Sequence, residues 1–264
     1  MPADLEALRT NLLELERVLV AFSGGADSAF LAWVANDTLG SDAVQCFTAV
    51  SPSLAQSELE DCASLAEEWG LNWSHVETAE MDNAAYRIND ENRCFHCKSA
   101  LMDVVEPIAC QQELTVVLGV NTDDLGDHRP GQSAAQERLA RFPLVDAGFS
   151  KEDVREHSKK LGLRTWDKPA AACLASRIPY GTQVSVSLLR RLDRAESALK
   201  NLGFEQLRVR DYGEIARLEI DLDQLSRAVD LRAEIVEAVQ SVGYQYVTLD
   251  LEGFRSGNLN HSIQ

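Results

Sequence analysis

Residues 23–28 read Ser-Gly-Gly-Ala-Asp-Ser, a set suited to holding an anion. Gly24 and Gly25 let the backbone turn tightly and bring its N–H groups close to a ligand. A helix starting just after them adds free N–H groups and the positive end of its dipole, and both favour phosphate. Ser23 and Ser28 supply hydroxyl donors. Asp27 suits either a magnesium ion set against the same phosphates or a cap for the helix. The second chemistry is sulfur. Cys94 and Cys97 form a Cys-x-x-Cys pair within Asn-Arg-Cys-Phe-His-Cys-Lys at 92–98. Such a pair fits half a zinc site, a redox couple or part of an iron–sulfur site. A zinc site needs two further ligands, yet the chain has no second close pair and His96 sits too near its neighbours. A helix start, with Arg93 and Lys98 alongside, favours the thiolate form. Cys173 lies in Pro-Ala-Ala-Ala-Cys-Leu-Ala-Ser-Arg at 169–177, and from spacing alone it reads as a small buried residue of an alanine-rich turn. Cys46, Cys62 and Cys110 fall within strand or helix patterns and read as small core residues.

These groups need elements to position them. Arg-Val-Leu-Val-Ala-Phe at 17–22 is an apolar β-prone run leading into the glycines, and Ala-Phe-Leu-Ala-Trp-Val-Ala after them is helical in character to about Asn36. Leu5, Leu8, Leu12 and Leu15 predict an earlier helix. Further strands are expected at 43–50, 72–77 and 115–119, with a fifth at 141–145. Ser51 and Pro52 open a helix that runs to about Trp69. Ser150 with Asp153 caps a helix over 151–161. Strands alternating with helices imply a parallel, doubly wound α/β sheet, whose ligands bind beyond the carboxyl ends of the strands. The glycine loop, Ser51 and the loop after Gly119 all fall at such ends.

Residues 164–184 read as loop. Beyond them the pattern changes to a helix at 185–201, strands at 206–210 and 215–220, a helix at 222–240 and a last strand at 244–251. This predicts a small C-terminal α+β domain with an antiparallel sheet. The expected divisions are a nucleotide-binding domain at 1–166, a mobile loop carrying Cys173 at 167–184, the small domain at 185–254 and a polar tail at 255–264. Strand alternation places Arg208 and Arg210 on one side, where two guanidinium forks suit a phosphate or carboxylates. Arg177 is a third such candidate, and Glu219 on the next strand is placed to pair with one of them.

The chain has 264 residues, with 25 Lys and Arg against 42 Asp and Glu, a net charge of −17. That balance disfavours a broad nucleic-acid surface, because neutralising phosphates supplies most non-specific affinity. No apolar run is long enough to span a bilayer, and the first residues lack the basic start and apolar stretch of a signal peptide. A cytoplasmic protein with no membrane partner is expected, and six cysteines there do not suggest a disulfide framework.

No Gly-Lys-Ser/Thr follows the glycines, so the loop is not a Walker loop, and it is not a Gly-x-Gly-x-x-Gly fingerprint. It resembles the PP-loop of ATP-dependent enzymes that release pyrophosphate and adenylylate their substrates. Three further segments make the likeness specific: Asn-Arg-Cys-Phe-His-Cys-Lys at 92–98, Gly-Val-Asn-Thr-Asp-Asp-Leu-Gly-Asp-His-Arg-Pro-Gly at 119–131, and Pro-Ala-Ala-Ala-Cys-Leu-Ala-Ser-Arg-Ile-Pro-Tyr-Gly at 169–181. Together with Arg-Val-Arg at 208–210 they look like the LarE family, ATP-dependent sulfur transferases of nickel-pincer nucleotide synthesis.

The resemblance implies a PP-loop fold and a pyridinium dicarboxylic acid mononucleotide as substrate. It implies that ATP adenylylates a ring carboxylate, that sulfur then displaces AMP, and that both ring carboxylates become thiocarboxylates. It implies that Ser23, Gly24, Gly25, Asp27, Ser28, Ser51, Gly119, Asp124 and Arg129 serve ATP, with Asp27 holding magnesium. Asp127 joins Asp124 and Arg129 as a candidate for magnesium or AMP. Arg177, Arg208, Arg210 and Glu219 are implied for the substrate's phosphate and carboxylates. Family members differ in sulfur source. Some sacrifice the sulfur of a cysteine at the position of Cys173, leaving dehydroalanine. Others bind a [4Fe–4S] cluster through cysteines matching Cys94, Cys97 and Cys173, and this chain has all three. A homo-oligomer, a sulfur donor and a downstream nickel-insertion partner are implied as well. The rivals are a tRNA thiolase, which the negative charge disfavours; an ammonia-using amide ligase, which has no need of three matched cysteines; and a non-catalytic nucleotide-binding regulator, which has no need of an intact loop.

Overall fold

The computed structural model describes residues 3–126, 135, 138–169 and 172–255. Among them, and in chain order, the elements are α1 (Leu5–Leu15), β1 (Val18–Ala21), α2 (Ala26–Leu39), β2 (Val44–Val50), α3 (Gln56–Trp69), β3 (Trp73–Glu77), α4 (Ala84–Ile88), α5 (Arg93–Gln112), β4 (Thr115–Leu118), α6 (Pro143–Asp146) and α7 (Lys151–Lys160). There follow α8 (Val186–Asn201), β5 (Leu207–Tyr212), β6 (Ile215–Ile220), α9 (Leu225–Asp230), α10 (Arg232–Ser241) and β7 (Tyr246–Leu249). The chain divides into two compact units, 1–83 with 92–171, and 84–91 with 172–264.

In the first unit, β1 pairs in parallel with both β2 and β4, and β2 pairs in parallel with β3. The strand order is therefore β3-β2-β1-β4. Side chains alternate across β1 and feed two cores. Val18 and Val20 pack with Leu8, Leu12, Phe30, Leu31 and Leu65 from α1, α2 and α3 on one face. Leu19 packs with Leu101, Met102 and Val105 of α5 on the other. Helices on both faces explain why β1 and β4 are nearly all apolar. The chain leaves β1 toward β2 on one side and toward β4 on the other. The crevice between the carboxyl ends of β1 and β4 is thus the topological switch point, where such sheets take ligands.

Two expectations for this unit are corrected. Residues 141–145 are not a fifth strand. Arg141 makes a single parallel bridge to Val117, and Pro143 then starts α6, because proline has no N–H to continue a ladder and is pre-shaped for a first helical turn. Ser51 and Pro52 do not open a helix either. The Ser51 hydroxyl accepts from the Ser53 N–H at 3.2 Å and closes a local turn, so α3 begins only at Gln56.

In the second unit, β5 and β6 form an antiparallel hairpin, but β7 runs parallel to β6. The small sheet is mixed rather than antiparallel, because α9 and α10 form a crossover that returns the chain in the same direction. The single helix expected at 222–240 is broken at Leu231. Residues 84–91 join this unit although the sequence suggests the first. The buried Asn89 amide donates to the carbonyls of Pro179 at 2.9 Å and Thr182 at 3.0 Å, and the Val184 N–H donates to the Arg87 carbonyl. Residues 172–184 include a 3-10 turn at Leu174–Arg177 and bury Leu174, Ala175, Ile178 and Val184.

Candidate active site

The glycine loop joins β1 to α2 at the switch point. Gly24 adopts φ +67°, a conformation side chains rarely allow, and a Cβ there would lie 2.8 Å from the Cys62 sulfur. Gly25 occupies the N-cap of α2 with no side-chain cap, so Asp27 is not the cap but stands in the first turn. Among the described residues, the N–H groups of Gly24, Gly25 and Ala26 donate to no protein acceptor. Three successive open donors at a helix start are the arrangement that anion binding calls for. The loop's shape is fixed from within. The Ser23 N–H donates to the Ser28 hydroxyl at 3.2 Å, the two hydroxyls lie 2.9 Å apart, and the Ser28 hydroxyl also contacts the Gly25 carbonyl at 3.2 Å. From below, the Thr48 hydroxyl donates to the Phe22 carbonyl at 2.7 Å.

The segment after β4 meets this loop directly. A Cβ on Gly119 would stand 2.7 Å from the Ser28 nitrogen and 2.8 Å from the Asp27 carbonyl carbon, both backbone atoms that cannot swing aside. Only glycine permits that approach. Asn121, fully buried, donates its amide to the Asp27 carboxylate at 3.1 Å. The Asn121 side-chain oxygen accepts the N–H groups of Asp123 and Asp124, and the Asp124 carboxylate accepts the Asn121 N–H. Asp123 accepts the N–H of Lys151 at the start of α7. The aspartate-rich turn is thereby locked against the glycine loop. Ser51 follows β2 directly, its hydroxyl 2.8 Å from that of Ser53, which reaches the buried Glu80. Asp127 and Arg129 lie outside the described residues.

Lys168 was not singled out by its sequence setting, yet it belongs here. Its ammonium donates to the Gly24 carbonyl at 3.1 Å, to Glu58 at 2.9 Å and to Asp61 at 2.6 Å. Burial alone would lower the Lys168 pKa, but its hydrogen bonds to Asp61 and Glu58 outweigh burial and hold the value above the ordinary lysine range. Asp61 is likewise pushed up by burial but more strongly down by hydrogen bonds from Lys168 and Arg164. The one visible sequence signal was a lysine just ahead of Pro169. Asn121 was legible only as part of a longer motif.

Cys94 and Cys97 lie in the first two turns of α5, three residues apart and so on one face of the helix. Cys94 is exposed and Cys97 half-buried. Burial depresses the pKa of neighbouring Lys98, partly offset by attraction to Cys97 and Cys94. Cys46 and Cys62 are buried, their thiols pushed up by burial to about 12 and about 11. Cys110 is exposed, against the expectation of a core position, because it lies on the solvent side of the last turns of α5. Among the described residues, no group of three or more His, Cys, Asp or Glu side chains stands together as a metal site.

Cys173, in the second unit, is half-buried and forms the N-cap of the 3-10 turn at Leu174–Arg177. The arginine candidates around it are heavily engaged. Arg177 holds Glu196 through two parallel bonds of 2.9 and 3.0 Å, both side chains about 5% exposed, and its remaining nitrogen donates to the carbonyls of Ala172 and Cys173. Glu196 also accepts the Val209 N–H. Arg210 donates to the Ser176 carbonyl at 2.8 Å and to the fully buried Glu219 at 2.7 Å, and Arg217 takes the other Glu219 oxygen. Arg208 is half-buried with its guanidinium over the Phe254 ring. Glu196 is a second residue, after Lys168, that sequence reasoning missed. Its signal was a carboxylate within the apolar stripe Leu189, Leu192, Ala195 and Leu199 of α8.

Comparison with known proteins agrees with this architecture. Residues 7–103 match the NAD synthase family. The chain is 48% identical over 266 residues, all of this chain and 99% of the relative, to an uncharacterized protein of Synechocystis. It is 36% identical to pyridinium-3,5-bisthiocarboxylic acid mononucleotide synthase of Lactiplantibacillus plantarum, over 96% of this chain and 92% of that enzyme. A 27% identical protein of Methanocaldococcus jannaschii aligns over 94% of this chain and 96% of its own length. The near-complete alignment with the synthase and the glycine loop at the switch point of a parallel sheet lead to one assignment: the chain belongs to the LarE family of ATP-dependent sulfurtransferases, within the PP-loop superfamily.

Proposed function

We infer that this enzyme converts the carboxylates of a pyridinium biscarboxylic acid mononucleotide into thiocarboxylates. The observation that carries the reading is the full-length likeness to a synthase of that name, joined to a loop with three open N–H donors. A carboxylate oxygen of the substrate attacks the α-phosphorus of ATP, the bond to the β-phosphate breaks, and pyrophosphate leaves. The resulting acyl adenylate is reactive because AMP is a good leaving group. Sulfur attacks the acyl carbon and the carbon–oxygen bond to AMP breaks.

The residue types are those this chemistry calls for, although no metal-holding group of three stands assembled among the described residues. The open N–H groups of Gly24, Gly25 and Ala26 take phosphate oxygens, and the fixed loop geometry favours charge developing on the leaving pyrophosphate. Magnesium binds proteins through one or two carboxylates and completes its shell with phosphates and water, so Asp27 alone beside the loop is a suitable anchor. Cys94, Cys97 and Cys173 are three thiol donors, the set that leaves one iron of a [4Fe–4S] cluster open, and the cluster's contribution when bound is a site for an extra sulfide. The alternative source is Cys173 itself, whose carbon–sulfur bond breaks after acyl transfer to leave dehydroalanine. Of the substrate-binding candidates, Arg208 is half-buried where Arg177 and Arg210 are buried, which favours it for contact with an arriving substrate. The family also implies assembly as a homo-oligomer and exchange with a sulfur donor and a nickel-insertion partner.

The test is incubation with ATP, magnesium and the pyridinium acid, followed by intact mass of small molecule and protein. Replacement of oxygen by sulfur on the acid is the expected result. Sulfur appearing in tRNA instead, or an amide formed from ammonia, contradicts it. The sulfur source is read in the same samples, after anaerobic iron reconstitution and Mössbauer spectroscopy. An iron-loaded protein with Cys173 intact supports the cluster, and dehydroalanine at 173 supports sacrifice.

A further inference from the structure

We propose that Lys168 is the cation that receives the terminal phosphates of ATP, and that Glu58 and Asp61 hold it in reserve until nucleotide arrives. The proposal rests on reading the 23–28 loop as the ATP site. That loop contains no lysine or arginine of its own. Within the loop, only uncharged N–H and hydroxyl donors then face a highly charged triphosphate. Lys168 brings the missing charge from a distant part of the chain to within 3.1 Å of the Gly24 carbonyl, and to 3.7 Å from where a Gly24 Cβ would stand. Gly24 is the first of the three residues with open N–H groups, so the ammonium sits at the edge of the anion site.

The resting partners fit a reserve better than a permanent anchor. An ammonium has three donors, and here they go to one carbonyl and two carboxylates. Glu58 and Asp61, the latter shared with Arg164, thus keep two carboxylates close to a loop built for an anion. Moving the ammonium onto phosphate removes that conflict, and the flexible lysine stem allows a shift of a few ångströms. Neither carboxylate is stranded by the move. Asp61 keeps Arg164 at 2.7 Å, and Glu58 has a side chain 26% exposed and open to water.

The carboxylates thus compete with phosphate for the same cation, which gives the variants opposite signs. Equilibrium binding of ATP, inorganic pyrophosphate and AMP is measured with the full chain and magnesium. Lys168→Met is expected to weaken ATP and pyrophosphate by about tenfold or more, the scale of a lost charge-assisted hydrogen bond. AMP, which lacks the terminal phosphates, stays within about twofold. Glu58→Gln is expected to tighten ATP several-fold. Lys168→Arg keeps the charge and retains most of the ATP affinity, which guards against a variant that merely misfolds. Equal weakening of ATP and AMP by Lys168→Met overturns the proposal, as does a Glu58→Gln variant that loses ATP affinity alongside it. Failure of the unaltered chain to bind ATP overturns both this inference and the reading beneath it. A chain that binds ATP with the expected preferences but never thiolates the pyridinium acid overturns only the substrate assignment.

Discussion

The glycine loop of the first unit and the arginine cluster of the second treat their hydrogen-bond donors in opposite ways. At Gly24, Gly25 and Ala26 the donors are held in place but unspent among the described residues, whereas every guanidinium nitrogen of Arg177 is engaged and Arg210 gives two of its three to Ser176 and Glu219. Open donors on a fixed backbone are ready for an anion that arrives later. Saturated donors shape the chain itself: the carbonyls of Ala172, Cys173 and Ser176 are gripped by buried arginines that glutamates keep in place. An arginine in a suggestive motif is therefore a weaker sign of a ligand than a glycine whose N–H has no partner.

The contrast is sharpest under substitution. Glu196→Ala leaves Arg177 buried without its carboxylate and removes the acceptor of the Val209 N–H. Breaking a buried pair from one side costs about 3–5 kcal/mol, so urea denaturation should show the largest loss of stability of the variants considered. Nucleotide affinity of the fraction still folded should hardly change. Gly119→Ala should do the reverse. Its methyl group presses on the Asp27 and Ser28 backbone, an overpacking cost of about 1–3 kcal/mol, while ATP binding and pyrophosphate release fall much further because the donors are displaced. A Gly119→Ala enzyme of full activity breaks the comparison from one side. A Glu196→Ala protein of full stability breaks it from the other.

A smaller effect tests the scaffold under the loop. Ser150 and Asp153 cap α7 reciprocally, and the Ser150 hydroxyl and N–H hold the Asp153 carboxyl below the usual carboxylate range. A lowered folded pKa means that this contribution is fully present above the unfolded value of about 4 and is lost as pH falls through the lower folded value. Ser150→Ala should cost about 1 kcal/mol at neutral pH, and the difference from the unaltered protein should shrink on acidification through that range. An effect that grows on acidification reverses the sign and contradicts the assignment.

Legibility in the sequence followed physical range. The strands β1 to β4, the helix after the glycines and the Ser150 cap all announce themselves through neighbouring residues, and each is where the pattern predicts. The loop at 23–28 was legible because backbone chemistry needs glycine at fixed spacing. Lys168 with Glu58 and Asp61 was not, because its partners lie 107 to 144 residues away and a lone charged side chain has no local pattern. Glu196 had a local pattern, a charge in an apolar stripe, but its partner Arg177 lies on another element and the pattern was passed over. Arg141 misled because a strand-like run was cut by Pro143. Cys110 misled because a helix of mixed polarity shows one of its faces to water.

The central claim is that the open donors of the glycine loop hold ATP so that a substrate carboxylate attacks its α-phosphorus. Labelling the carboxylates of the pyridinium acid with heavy oxygen and weighing the released nucleotide tests this most directly. AMP carrying one labelled oxygen, formed together with unlabelled pyrophosphate, is the result the account predicts. ADP with the label in inorganic phosphate contradicts it, because the attack would then have fallen on the γ-phosphorus.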